Sequence, residues 1–390
     1  MRPIFRLLLC AFSISALMAR PAASAPETPL NPDTYFGING IGFFHRPDDK
    51  DQIGRRLALM QELGVKWDRS DFWWSKVEPR PGEWDFSLAD RAMELYRAHS
   101  IQIFPILNYG AAWRDTQGPM NDQQRAEWAE YVTRVVSRYK GYADHWEVWN
   151  EPNIIPFWRP QPDAAAYRRL LEVTSDRARA ANPAVRPVGF SLAGADHEFL
   201  ERILAQGGAG GFDIFSYHYY RTSRPEQTTP EEIAGLRLIL RHFGRECPIW
   251  VTEQGVTSNL REGVSEELQA IYWMREILLQ IGAGVERVFP FTLVDNVTDP
   301  GGPWGAELGM VTLDWRKKPV YYAYKTMIAE LDDYSLAGPV DLGGESDLHA
   351  LLFERRPGAS GQGPRHKLAV WSAGDARDIR VAIDDIPTTL

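Results

Sequence analysis

Two glutamates stand where short apolar runs turn polar. The first closes the run Trp146-Glu147-Val148-Trp149-Asn150-Glu151-Pro152-Asn153. Pro152 stops a strand ladder there, because it has no amide hydrogen to give. The second closes Ile249-Trp250-Val251-Thr252-Glu253-Gln254-Gly255 in the same manner. Two carboxylates facing each other across a cleft are what glycosidic bond cleavage requires, one delivering a proton to the leaving oxygen and the other meeting the sugar carbon. Other chemistries find no residues to carry them. The eight histidines form no His-Glu-x-x-His pair and no cysteine cluster accompanies them, so no metal is expected. No Gly-x-Ser-x-Gly elbow presents a serine nucleophile, and no glycine-rich phosphate loop follows the first apolar run. No cofactor is expected.

Whether the glutamates meet depends on the elements that carry them. From Tyr35 onward, short apolar runs alternate with helical patterns about eight times, the rhythm of βα units. Strands are predicted to begin near Tyr35, Val65, Ile101, Asp144, Arg186, Phe212, Pro248 and Arg287. Between them, Ile53, Leu57 and Met60 repeat at helical spacing with Gly64 as a C-terminal cap, and Ser87-Leu88-Ala89-Asp90 reads as a capping box. Further helices are predicted over 122–139, 163–181, 230–243, 265–281 and 319–331. Eight such units close into a (β/α)8 TIM barrel, an α/β fold whose reactive side chains sit at the C-terminal ends of the strands. Glu151 then ends the fourth strand and Glu253 the seventh, on facing sides of the mouth. Beyond Tyr334 the helical rhythm stops. Strand-like runs at 349–354, 367–372 and 378–383, with a Gly- and Pro-rich hairpin loop at 356–364, predict a small C-terminal antiparallel β module packed on the barrel.

With these strings placed, the chain resembles a retaining glycoside hydrolase of clan A, nearest to the family 39 and family 5 types. The resemblance rests on Trp149-Asn150-Glu151-Pro152-Asn153 together with Thr252-Glu253 three strands later, and it spans roughly residues 35 to 330. It implies Glu151 as general acid/base and Glu253 as nucleophile, with their carboxyl groups about 5 to 5.5 Å apart. It also implies that Arg69, in Trp67-Asp68-Arg69-Ser70-Asp71, holds the nucleophile ionised, and that Asn150 contacts the hydroxyl beside the anomeric carbon. His218 and Tyr220 match a His-x-Tyr pattern whose tyrosine bonds the nucleophile. Glu147, on the same face as Glu151, is expected as an inner-barrel partner of a cation, whereas His45 and Asn108 are expected in ordinary loop roles. The clan's floor tryptophan on the eighth strand is replaced here by Phe289-Pro290-Phe291-Thr292, which leaves Phe291 or Trp304 to fill that place. Trp73, Trp74, Trp113 and Trp158 follow barrel strands; each by itself suits the core as well as a sugar ring, but together they point to an extended sugar-binding cleft, with Trp113 and Trp158 expected as substrate contacts. The implied activity is double-displacement hydrolysis of β-linked polysaccharide or oligosaccharide, set against a non-catalytic sugar-binding barrel and a transglycosylase.

Composition narrows the partners. The 390 residues are 44% hydrophobic and 24% charged, which excludes disordered and fibrous classes. The formal charge is −9 with no basic stripe, so nucleic acid is not an expected partner. Fourteen Trp, 15 Tyr and 17 Phe supply more flat apolar surface than a core of this size needs, so some of it is expected to meet a ligand, which the resemblance makes a carbohydrate. Residues 1–25 read as a secretory signal: Arg2 and Arg6, an apolar stretch from Leu7 to Met18, then Ala23-Ser24-Ala25. Its removal takes away three arginines and no acid, leaving −12, and predicts a periplasmic or secreted protein with no membrane attachment. The expected division is therefore 1–25 signal, 26–333 barrel and 334–390 β module. Cys247 is then the single cysteine, so stability must come from the core.

Overall fold

Eight parallel strands pair in sequence order: β1 (Gly37–Ile38), β2 (Trp67–Trp73), β3 (Gln102–Asn108), β4 (His145–Val148), β5 (Arg186–Ala193), β6 (Ile214–Tyr220), β7 (Ile249–Gly255) and β8 (Arg287–Pro290). The computed structural model describes residues 10–11, 33–40, 42, 50–111, 113, 118, 121–259, 263–295, 307–343, 347–359 and 363–374. Parallel bridges Phe36–Val288 and Asn39–Phe291 bring the first strand against the last and close the barrel. Around it lie α1 (Lys50–Leu63), α2 (Ser87–Ala98), α3 (Asp122–Arg138), α4 (Ala164–Ala181), α5 (His197–Ala205), α6 (Thr229–His242), α7 (Glu266–Gly282) and α8 (Pro319–Leu331), with a one-turn helix at Trp74–Val77.

The capping of one helix and the presence of another differ from the sequence reading. Ser87 is the first residue of α2 and not its cap; Phe86 occupies the cap position, and Asp85 Oδ1 accepts from the Ser87 amide at 2.9 Å. The capping box stands instead at α3, where Asn121 and Gln124 satisfy each other's amides. Helix α5 was not among the predicted segments. It has only nine residues, opened by Asp196 accepting from the Phe199 amide, with Phe199, Leu200, Ile203 and Leu204 buried.

The floor of the barrel is an apolar plug. Trp67, Phe104, Val188, Ile214, Trp250 and Phe289 form one interior cluster, each on an inward strand position. His145 stacks on Trp250 at 5.2 Å, and the Arg287 guanidinium lies 4.2 Å and 4.5 Å from the Trp67 and Trp250 rings. Burial, reinforced by Arg287 and Arg186, pushes His145 down to about 3, so it packs as a neutral ring. A plug of this kind confines access to the opposite, C-terminal end.

Three strands follow: β9 (Tyr334–Pro339), β10 (Leu348–Arg355) and β11 (His366–Ser372), antiparallel in that order. Cys10–Ala11 aligns antiparallel beside β11. Leu351, Phe353, Ala369 and Trp371 join the main core, so the module's inner face is continuous with the packing of the barrel helices. Trp371 is buried, its ring stacked on His349 and its Nε1 donating to Glu226 Oε1 at 3.1 Å. The strand expected at 378–383 lies outside the described residues.

Candidate active site

Strict alternation along the strands would not assemble this site, and local departures from it do. On β7, Trp250 faces inward, so alternation sends Glu253 outward; an extra residue at Thr252 shifts the register against both neighbours and turns Glu253 in. After β4 the chain takes left-handed backbone at Trp149 (φ +70°) and Glu151 (φ +46°). Such conformations cost a non-glycine residue about 1–3 kcal/mol each and are held here by hydrogen bonds that the backbone N–H groups of Trp149 and Glu151 donate to Leu107 O (2.9 Å) and Ser191 O (3.0 Å). The result brings one oxygen of Glu151 and one of Glu253 within 4.8 Å of each other.

Arg69 organises the floor beneath them. It is buried, and each of its five N–H groups has an acceptor: Nε to Glu147 Oε2 (2.6 Å), Nη1 to Glu253 Oε1 (2.6 Å) and Asn39 Oδ1 (3.1 Å), Nη2 to Asn150 Oδ1 (3.0 Å) and Ser191 Oγ (3.1 Å). Glu147 is completed by Ser216 Oγ at 2.8 Å. Tyr220 Oη donates to Glu253 Oε2 at 2.6 Å. Burial pushes the Glu253 carboxyl up, but the electrostatic influence of the adjacent His218, the Arg69 charge and the hydrogen bonds from Tyr220 and Arg69 outweigh it, and Glu253 lies below the ordinary glutamate value. For Tyr220, burial and then the Glu253 charge raise the phenol well above its usual value, so it remains a donor. His218 completes the group, with Nδ1 2.7 Å from Glu151 Oε1 and 3.6 Å from Glu253 Oε2.

Glu151, His218 and Glu253 also have the composition of a metal-ligand set. The 2.7 Å between Nδ1 and Oε1 is a direct hydrogen bond, shorter than the roughly 3.4 Å that separates two ligands of a tetrahedral zinc. The arrangement as it stands is hydrogen-bonded, with Tyr220 and Arg69 already donating to the Glu253 oxygens.

The expected aromatic wall is smaller than its sequence suggested. Trp158 is fully buried, packed edge-on against Trp149 (5.4 Å) and Tyr167 (6.0 Å), and Trp74 is buried against Trp128 and Tyr131. Neither can stack on a sugar: both indoles fold back onto the helices and fill the core. Trp113, Trp73 and Phe291 are half-buried, with Phe291 edge-on to Tyr220 at 6.4 Å. Trp304 and His45 lie outside the described residues. Asn108, expected in a loop, is instead the buried last residue of β3, donating to Asp71 Oδ1 at 2.5 Å. Asp71 shares the inward face of β2 with Arg69, a period-two relation visible in the sequence. Ser216, two residues before His218 on β6, has the same relation and was overlooked, whereas Asn39 and Ser191 had no such signal.

A family model described as Beta-galactosidase, that of glycoside hydrolase family 42, matches residues 44–112. Among solved structures, a family 39 glycoside hydrolase from Bacteroides cellulosilyticus superposes with a TM-score of 0.66 at 21% identity, covering 82% of this chain and 67% of that one. A family 39 β-xylosidase from Caulobacter crescentus gives 0.61 at 21% identity, with 85% and 79% covered. The chain resembles the family 39 glycoside hydrolases. A curated β-xylosidase from Geobacillus stearothermophilus is 22% identical over 283 residues, covering 62% of this chain and 55% of its own. The chain thus spans about half the length of that relative. Likeness at this level is a likeness of fold, so the chemistry must be argued from the side chains.

Proposed function

We propose that this chain is a retaining glycosidase acting on β-linked sugars of a polysaccharide or oligosaccharide, with Glu253 as nucleophile and Glu151 as acid/base. The observation that carries this is the approach of the two carboxylates to within 4.8 Å, with Glu253 held below the ordinary carboxylate range. An inverting pair leaves room for a water and stands about 6.5–9.5 Å apart. Glu253 attacks the anomeric carbon while Glu151 protonates the departing oxygen. Once Glu253 is esterified, Glu151, having given its proton to the leaving oxygen, takes the proton of the incoming water as general base. Asn150, with Oδ1 tied to Arg69, has its Nδ2 for the hydroxyl beside the anomeric carbon. Phe291 is the floor candidate within the described residues. The relatives named above, two of them β-xylosidases, favour a neutral sugar. The division into an exported leader (1–25), barrel (26–333) and β module (334–390), and with it a periplasmic or secreted location, belongs to the same proposal.

The reading is tested by incubating the protein with aryl β-glycosides of xylose, glucose, mannose and galactose and following the first-formed product by proton NMR. Release of the β-anomer from at least one is expected; release of the α-anomer contradicts the nucleophile assignment, and turnover of none contradicts the glycosidase reading.

A further inference from the structure

Strand β5 carries a bulge whose purpose the mechanism above does not use. Against β6, Gly189 pairs with Phe215 and Leu192 with Tyr217, so that Phe190 and Ser191 together face the single residue Ser216. Both have left-handed backbone, φ +86° and +46°. Val188 faces the barrel interior, and regular alternation would follow it with Phe190; the bulge sends Phe190 outward onto Phe212 and Phe215 and puts Ser191 inside. Two non-glycine residues in such backbone are strained, which a bulge next to reacting groups can justify by what it re-aims. Here it re-aims two atoms. The Ser191 carbonyl accepts from the Glu151 amide at 3.0 Å, and its hydroxyl lies 2.9 Å from His218 Nε2.

Resting on the glycosidase reading, we infer that Ser191 is a positioning residue: its hydroxyl fixes the tautomer of His218, and through it places the acid proton of Glu151 on Oε2. The chain of bonds has one consistent direction. Arg69 has only donors, and its Nη2 gives to Ser191 Oγ at 3.1 Å. Ser191 Oγ has one hydrogen, and its contact at 2.9 Å is His218 Nε2. A proton on Nε2 would also face the same Nη2, 3.4 Å away, donor against donor. Nε2 therefore accepts, and the ring proton sits on Nδ1, where it is given to Glu151 Oε1 at 2.7 Å. With Oε1 accepting, the carboxyl proton belongs on Oε2, which no described side chain hydrogen-bonds, ready for the leaving oxygen. The opposite tautomer would turn a lone pair toward Oε1 and draw the acid proton into an internal O–H···N bond, away from the glycosidic oxygen. The same Nδ1–H steadies Glu151 as a carboxylate once it acts as base.

Two measurements on the full chain test this. Long-range proton–nitrogen NMR of 15N-labelled protein, with the His218 ring assigned by its loss in His218→Gln, is expected to show Nδ1 protonated and Nε2 unprotonated at neutral pH. A proton on Nε2 overturns the inference whether or not the protein turns over any glycoside. The variant Ser191→Gly keeps the carbonyl, suits φ +46° and removes the hydroxyl. Its loss of kcat/KM on a 4-methoxyphenyl glycoside, which needs the acid, is expected to exceed its loss on a 2,4-dinitrophenyl glycoside by about tenfold or more, with the alkaline limb of the pH profile displaced. Equal losses on both substrates with an unmoved pH profile mean that Ser191 is merely structural. Absence of turnover by the unmodified protein on both substrates marks failure of the glycosidase reading instead, and the NMR result then stands by itself.

Discussion

Tyr220 and Arg69 both give hydrogen bonds to Glu253, and their effect on its ionisation has a definite sign. Tyr220→Phe deletes a donor to an anion, so the Glu253 carboxyl rises and the acidic limb of kcat/KM moves to higher pH. At the optimum the loss is about 10- to 100-fold, the worth of one hydrogen bond to a charged group; a pH–rate profile with an unmoved acidic limb would remove Tyr220 from this role. At this scale the sequence was most legible where a side chain follows strand alternation or a contiguous string. Arg69, Glu147, His218 and Tyr220 all face inward at even spacing on their strands, and Asn150-Glu151 is contiguous. Ser191 was illegible because alternation from Val188 points to Phe190, and only the bulge exchanges them. Trp158 misled because the loop after β4 turns back into the core, which no local pattern announces.

The segment joining β8 to α8 begins at Thr292 and returns through Leu308 and Gly309, and a buried ion pair ties its base. Lys318 Nζ donates to Asp295 Oδ1 (2.9 Å), Ser258 Oγ (3.1 Å) and Glu307 O (3.3 Å). Burial outweighs that pairing and leaves the Asp295 carboxyl raised. Removing the cation strands a buried carboxylate, so Lys318→Met is expected to cost about 3–5 kcal/mol in denaturant unfolding. A cost within 1 kcal/mol would mean that water reaches Asp295. Long amphipathic helices and their order were legible in the chain; the short α5 was not, because two and a half turns give periodicity too little length. The capping of α2 also escaped the sequence reading, since Asp85 and Ser87 both have the chemistry of a cap and only the backbone decides between them.

Over the whole molecule, the β module shares its core with the barrel through Leu351, Phe353, Ala369 and Trp371. Deleting residues 334–390 uncovers that face and is expected to yield insoluble or markedly destabilised protein; a soluble truncation of unchanged melting temperature would make the module independent. Its interior placement of Trp371 also leaves that indole unavailable to a glycan. Export is tested by N-terminal sequencing of the protein recovered from the periplasm or medium, where a start near Pro26 is expected and an intact Met1 contradicts the leader. The account's central claim is the division of labour between Glu253 and Glu151. Glu253→Ala has no nucleophile, so azide attacks a dinitrophenyl β-glycoside directly and gives the α-glycosyl azide. Glu151→Ala still forms the glycosyl-enzyme from such an activated substrate, and azide then returns the β-configuration through a second inversion. NMR of the two azide products is predicted to show α from the Glu253 variant and β from the Glu151 variant; the reverse pairing, or full activity in either variant without azide, would contradict it.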